Sequence, residues 1–196
     1  MLTLKNLTLK AGPVTESPLY SKWVASIVAP LRKVTPQNVA RLARRREPES
    51  LAFCEFLKGQ AASEEIDRVV QELYRQASAE FDCTQCANCC REISPLLKSD
   101  DIARLSRGLG MDDGECIAAY FVRSSEHDGW IFKRMPCPLL QDNRCACYGG
   151  RPADCASYPH LHKSHFLRRA QNTVANCSIC PIAFTVCERL KARYGW

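Results

Sequence analysis

The sequence predicts a mostly α-helical protein with a small irregular α+β core, made of a short hairpin and loops and organised around cysteines. Three observations predict it. Apolar residues recur at helical spacing through most of the first eighty positions and again at the C-terminal end. From Cys83 onward the chain breaks into short pieces punctuated by Gly, Pro and Cys. And 13 of the 196 residues are cysteine, several times the ordinary share. The expected division is a helical N-terminal extension, residues 1–62, followed by a cysteine-cluster domain with flanking helices, residues 63–196.

In order along the chain, Ser17-Pro18 and Thr35-Pro36 each place a capping residue before a proline at the first helical position. Leu19, Trp23 and Ile27 recur every four residues, and Pro30 ends that helix. A second helix is expected over 36–47, with Arg41, Arg44, Arg45 and Arg46 on it, and a third, short one over 49–58, stopped by Gly59. Ser63, Glu64 and Glu65 open a longer helix whose apolar face is Ile66, Val69, Leu73 and Ala77. Ser99-Asp100 starts another, closed by Gly108 or Gly110. Cys116 to Val122 reads as a further short helix, and WIFKRMPCPLL, QDNR and CACY as one small hairpin. Pro181 opens a final amphipathic helix. No internal repeat or low-complexity segment interrupts this order.

Composition excludes several classes. With 46% hydrophobic residues and a net charge of +6, the chain is neither a disordered tail nor a coiled coil or collagen-like fibre. No run approaches the roughly 18 apolar residues of a membrane span, and the first residues lack the apolar stretch of a signal peptide. A cytoplasmic, membrane-free protein is expected. In that compartment cysteines bind metal or do redox chemistry rather than form a disulfide framework. The odd count and the crowding of Cys83, Cys86, Cys89 and Cys90 into CTQCANCC agree, since mutual disulfides there would be strained or would close trivial loops.

Metal coordination tolerates such crowding. The C-x2-C pairs Cys83/Cys86, Cys86/Cys89 and Cys177/Cys180 let one tight turn aim two sulfurs at one ion. The hairpin supplies Cys137, Cys145 and Cys147, and Cys155 follows in RPADC. Adjacent Cys89 and Cys90 point in different directions, so they serve two neighbouring centres or one of them is spare. Cys54, Cys116 and Cys187 sit on helical apolar faces and read as ordinary buried thiols. A C2H2 finger is excluded, because His160, His162 and His165 follow no suitable cysteine pair. Arg151 is placed to donate hydrogen bonds to thiolates.

Taken together, CTQCANCCR, PCPLLQDNRCACYGGRPADCASYPH and NCSICPIAFTVCERLK resemble the YkgJ-type CxxCxxCC cysteine-cluster family, described as zinc- or iron-chelating. Cys83, Cys86, Cys89 and Cys90 carry its C-x2-C-x2-C-C pattern. Pro136-Cys137-Pro138, Cys145 to Tyr148, Arg151-Pro152, Cys155 and Tyr158-Pro159 carry its later one. The resemblance spans about residues 81–190, and Cys147 stands where that family usually has an aliphatic residue. The expected ligands are Cys83, Cys86, Cys89, Cys90, Cys137, Cys145, Cys155, Cys177 and Cys180, one more than two four-thiolate centres need, so one drops out. The dropout is expected from the adjacent pair.

The expected cofactor is an iron–sulfur cluster or zinc. The dense run and the remote Cys137-Pro138 and Cys180-Pro181 favour iron–sulfur, whereas the C-x2-C knuckles suit zinc. Eight bound thiolates on two divalent centres would lower the formal charge from +6 to about +2, which argues against nucleic acid as a partner. Three functional classes follow: a metal-binding module, an iron–sulfur enzyme or redox protein, and a metal-stabilised adaptor docking a protein through its N-terminal helices. One group resembling this family methylates lysines on flagellin. Gly108, Gly110 and Gly114, however, miss the G-x-G-x-x-G spacing of a dinucleotide site.

Overall fold

A computed structural model describes residues 33–60 and 62–196. The chain divides into Met1–Lys33 and Val34–Trp196, and the features below belong to the second unit. The helix expected around Leu19, Trp23 and Ile27 lies outside the described residues.

Helix α1 spans Val39–Leu57, entered through a reciprocal pair: Thr35 N–H donates to Asn38 Oδ1 at 2.9 Å, and Asn38 N–H to Thr35 Oγ1 at 3.3 Å. Two helices broken at Pro48 were expected; one helix carries that proline inside. An interior proline removes a backbone hydrogen bond and costs about 3 kcal/mol or more. Here both halves bury residues in one core, Val39 and Ala43 before it and Phe53, Cys54 and Leu57 after it, which holds them in line.

Helix α2, Ser63–Ser78, buries Ile66, Val70 and Ala77. It also buries Asp67, whose carboxylate accepts from the backbone N–H of His165 at 2.6 Å and of Phe166 at 2.8 Å. Those donors are orphans at the start of a helix absent from the sequence reading, Phe166–Cys177. Its cap comes from a residue about a hundred positions earlier, so no local capping signal marks it. With the final helix Pro181–Arg193 and α1, these elements enclose the larger core, including Leu57, Ile66, Leu161, Val186 and Leu190.

Between α2 and that C-terminal helix pair lie the shorter pieces. Helices α3 (Cys83–Cys86), α4 (Asn88–Glu92), α5 (Ser99–Leu109) and α6 (Asp113–Tyr120) precede strands β1 (Phe121–Arg123), β2 (Trp130–Phe132), β3 (Leu140–Gln141) and β4 (Arg144–Cys145). Helix α7 (Ala153–Ser157) then leads to α8 (Phe166–Cys177) and α9 (Pro181–Arg193). Gly110, at φ 70°, closes α5. Asp112 Oδ1 accepts from Glu115 N–H at 2.9 Å, so α6 begins earlier than expected, and the chain turns extended at Phe121 instead of staying helical to Val122.

One hairpin was expected from Trp130 to Tyr148; there are two. β1 pairs antiparallel with β2, putting the rings of Phe121 and Phe132 4.8 Å apart, and β3 pairs with β4 around Asp142 and Asn143. Both turn residues have positive φ, 44° and 66°, which a two-residue hairpin turn demands and Asp and Asn tolerate. A second, smaller core packs Leu97, Ile102, Leu105, Cys116, Phe121, Phe132, Leu139 and Cys147. Cys147 is wedged against Gly108 and Gly150, where any side chain would collide with its sulfur, and its thiol is 3.9 Å from the Leu105 carbonyl. The mostly helical class with small antiparallel hairpins is therefore borne out, and Cys54, Cys116, Cys147 and Cys187 are packed in the cores.

Candidate metal centre

The cysteine-rich stretch is held by backbone and amide contacts rather than by long elements. Asp82 Oδ1 accepts from Thr84 N–H at 2.8 Å and starts the single turn α3. Ala87, left-handed at φ 54°, then breaks the helix so that α4 does not continue α3. The Asn88 amide donates to the carbonyls of Ile179 at 3.1 Å and Pro36 at 2.8 Å, fastening the cluster beside Cys180. One residue beyond Cys89 the same motif is fastened elsewhere: Cys137 N–H donates to the Cys90 carbonyl at 2.8 Å. Arg91 donates to the Cys86 carbonyl at 2.9 Å and also reaches Asn143 at the tip of the β3–β4 hairpin.

Cys145 pairs with Leu140 across that hairpin, and Ala146 N–H donates to the Leu139 carbonyl at 2.8 Å. Cys155 rides on α7, whose Ala153 N–H donates to Asp101 Oδ1 at 2.8 Å; Asp101 is itself paired with Arg104. Cys180 sits just before Pro181, at the start of α9.

All thirteen cysteines are free thiols. Of the nine expected ligands, Cys83 is exposed, Cys86, Cys89, Cys90, Cys137, Cys145 and Cys155 are half-buried, and Cys177 and Cys180 are buried. Cys180 neighbours Cys83, Cys86 and Cys89, and Cys90 neighbours those three as well as Cys137, Cys145 and Cys155. Cys177 neighbours both Cys187 and Cys180. Its thiol, 3% exposed, lies 3.2 Å from the Thr173 carbonyl within α8 and 3.2 Å from Cys187 Sγ. Among the described residues no group of three or more His, Cys, Asp or Glu side chains is placed so that it could hold a metal ion.

Burial dominates the acidity of these thiols. It pushes Cys137 up to about 11 and Cys155 and Cys180 to about 12, with further upward push from neighbouring sulfurs. Cys83, Cys86 and Cys145 are raised for the same reason. Cys90 runs the other way: the hydrogen bond from Cys89, helped by Arg91 and Arg151, lowers it to about 7 while Cys89 rises. Thiols crowded in this way resist ionising together, and a cation among them removes that resistance by supplying the opposite charge.

Two polar atoms nearby have no partner among the described residues. Arg151 Nε and the Tyr158 hydroxyl are buried without a hydrogen bond, although the Arg151 guanidinium stacks 3.6 Å from the Tyr148 ring. Thiolate sulfurs are acceptors, and a donor aimed at metal-bound sulfur is the usual support of such a ligand. The donor set and these orphans fit a thiolate-held metal or cluster. The histidines are occupied otherwise: His160 Nδ1 is 2.8 Å from Ser157 Oγ, the His162 ring lies 6.0 Å from that of Tyr74, and His165 is left-handed ahead of α8. Arg151 was legible from sequence; Tyr158 was noted only within its YP pair.

Fold and site define a class: a helical protein built around a cluster of free cysteines with buried donors beside it. Residues 82–181, just over half of the chain, match the CxxCxxCC family model, whose description is "Putative zinc- or iron-chelating domain". The chain belongs to this family, as the resemblance in its sequence implied. No curated protein and no solved structure matches it. No helix among the described residues is long and apolar enough to cross a membrane.

Proposed function

We propose that this protein chelates iron as iron–sulfur centres through thiolates of its 83–180 segment, in a reducing, cytoplasmic setting. The observation that carries the reading is the gathering of free thiols, most of them half-buried, from five separate stretches of chain around two buried donors that lack partners among the described residues. Iron–sulfur is favoured over zinc by the dense run from Cys83 to Cys90 and by the remote Cys137-Pro138 and Cys180-Pro181. Zinc is the second reading, supported by the C-x2-C turn at Cys83 and Cys86.

A bound cluster would supply one-electron chemistry. The chain's own part is to hold the sulfurs, limit water and donate hydrogen bonds from Arg151 and Tyr158. Whether the centre is structural, catalytic or supports an adaptor turns on its openness and on what residues 1–62 dock.

The test is anaerobic purification with iron, zinc and sulfide analysis and a visible spectrum. Brown protein with iron and sulfide is expected; colourless protein with zinc selects the second reading, and metal-free protein overturns both. In the same assay Cys86→Ser loses metal and solubility, whereas Cys54→Ser, at a core thiol pushed up to about 11 by burial, loses neither. Equal metal in the two variants contradicts the assignment.

A further inference from the structure

Beyond chelation, the geometry points to a second chemistry: Cys177 and Cys187 form a redox-active dithiol that reduces a hydroperoxide and closes to a disulfide between α8 and α9. The inference needs no bound metal. The two sulfurs are 3.2 Å apart, in contact across the interface of the two helices. A disulfide holds its sulfurs at about 2.05 Å, so closure asks for a movement of about 1 Å, which side-chain rotation supplies.

The contact is built into the fold. Cys177 is the last residue of α8, Cys187 lies inside α9, and both belong to the larger core together with Val174, Ala183 and Phe184. A close-packed interior keeps such a pair together, so the second sulfur is already in place when the first has reacted. Adjacent Cys89 and Cys90 offer no equivalent, because a bridge between chain neighbours is strained. The 177–187 span crosses the turn that carries Cys180 and Pro181, so the bridge would tie together the two helices that flank this turn.

Cys187 is the more exposed of the two, 8% against 3%, and meets the oxidant first. Its sulfur attacks one oxygen of hydrogen peroxide, the O–O bond breaks, and the departing hydroxide takes up the thiol proton and leaves as water. Cys187 is then a sulfenic acid. The Cys177 sulfur attacks the Cys187 sulfur, the S–O bond breaks, and the hydroxyl leaves as water with the Cys177 proton. Two thiols are oxidised and one peroxide is reduced to water. Burial of both sulfurs selects a small oxidant, a hydroperoxide rather than a bulky disulfide. In a reducing compartment such a bridge is transient, the usual form for a redox-sensing pair.

The test adds hydrogen peroxide stepwise to the anaerobically purified full chain, measures its metal, and alkylates the remaining thiols under denaturing conditions before digestion. Chymotryptic cleavage after Phe184 separates Cys187 from Cys177 and Cys180, and fragment sequencing of the joined peptides identifies the bridge. Cys177–Cys187 is expected to be the first disulfide, formed in more than half of the molecules with metal at its starting level and reversed by dithiothreitol. A different first disulfide, or this one only after metal has left, overturns the inference and leaves chelation intact. The same bridge in a chain isolated without metal supports it while overturning chelation. In Cys177→Ala, dimedone is expected to label a sulfenic acid on Cys187, and in Cys187→Ala to leave Cys177 unlabelled; the opposite labelling overturns the assigned order. Should either variant fail to fold, the wild-type mapping decides alone.

Discussion

Removing the metal is expected to collapse the stretch from Cys83 to Cys155 while sparing part of the helical signal. Structural thiolate sites contribute on the order of 10–16 kcal/mol of apparent binding energy. The whole stability of a domain is about 5–15 kcal/mol. That stretch has little else to hold it: two-residue and three-residue strands, helices of 11 residues or fewer and a small second core. The four longer helices α1, α2, α8 and α9 share an apolar core of their own and should persist longer. Circular dichroism after strong chelation, compared with untreated protein on heating, reads this out. A large loss of thermal stability with partly retained helicity is expected, and an unchanged transition would contradict it.

The second large effect is expected at Lys191, a buried cation on α9. Its Nζ lies 2.5 Å from Glu188, itself buried, and 3.0 Å from Glu49 on α1. Lys191→Met would leave Glu188, among the described residues, with Arg46 at 3.7 Å. Breaking a buried pair from one side costs about 3–5 kcal/mol, and the partial exposure of Glu49 places the loss toward the lower end. Denaturant unfolding at neutral pH measures it.

The acid limb gives a further check. Burial pushes Glu49 up, but the hydrogen bonds from Arg46 and Lys191 outweigh it and hold the carboxyl below its ordinary value. A depressed carboxyl contributes stability above its unfolded pKa and loses it as pH falls through the folded one. Wild type should therefore lose more stability on acidification than Lys191→Met; equal acid sensitivity would show that the lysine does not act on Glu49.

Much of this was legible from residue spacing. Pro181 at the start of α9, Gly110 closing α5 and the face of Ile66, Val69, Leu73 and Ala77 on α2 are local signals, and local signals survive folding. What was not legible depends on distant partners. The proline in α1 reads as a break until both flanks are seen to share one core. Helix α8 lacks its own cap because Asp67 provides it. Phe121 leaves the expected helix because Phe132 pairs with it. In the cluster, the cysteines were visible at once, but the core contacts of Cys177 were not. A C-x2-C spacing says that two sulfurs can converge, but not that one of them also meets the Thr173 carbonyl and Cys187.

The central claim is that sulfurs from remote segments meet on bound metal. X-ray absorption at the metal edge of the intact, anaerobically purified protein tests it most directly. A first shell made of sulfur at about 2.3 Å, without nitrogen or oxygen, is the expected result. A shell of oxygen and nitrogen, or metal content too low to give an edge, would contradict it.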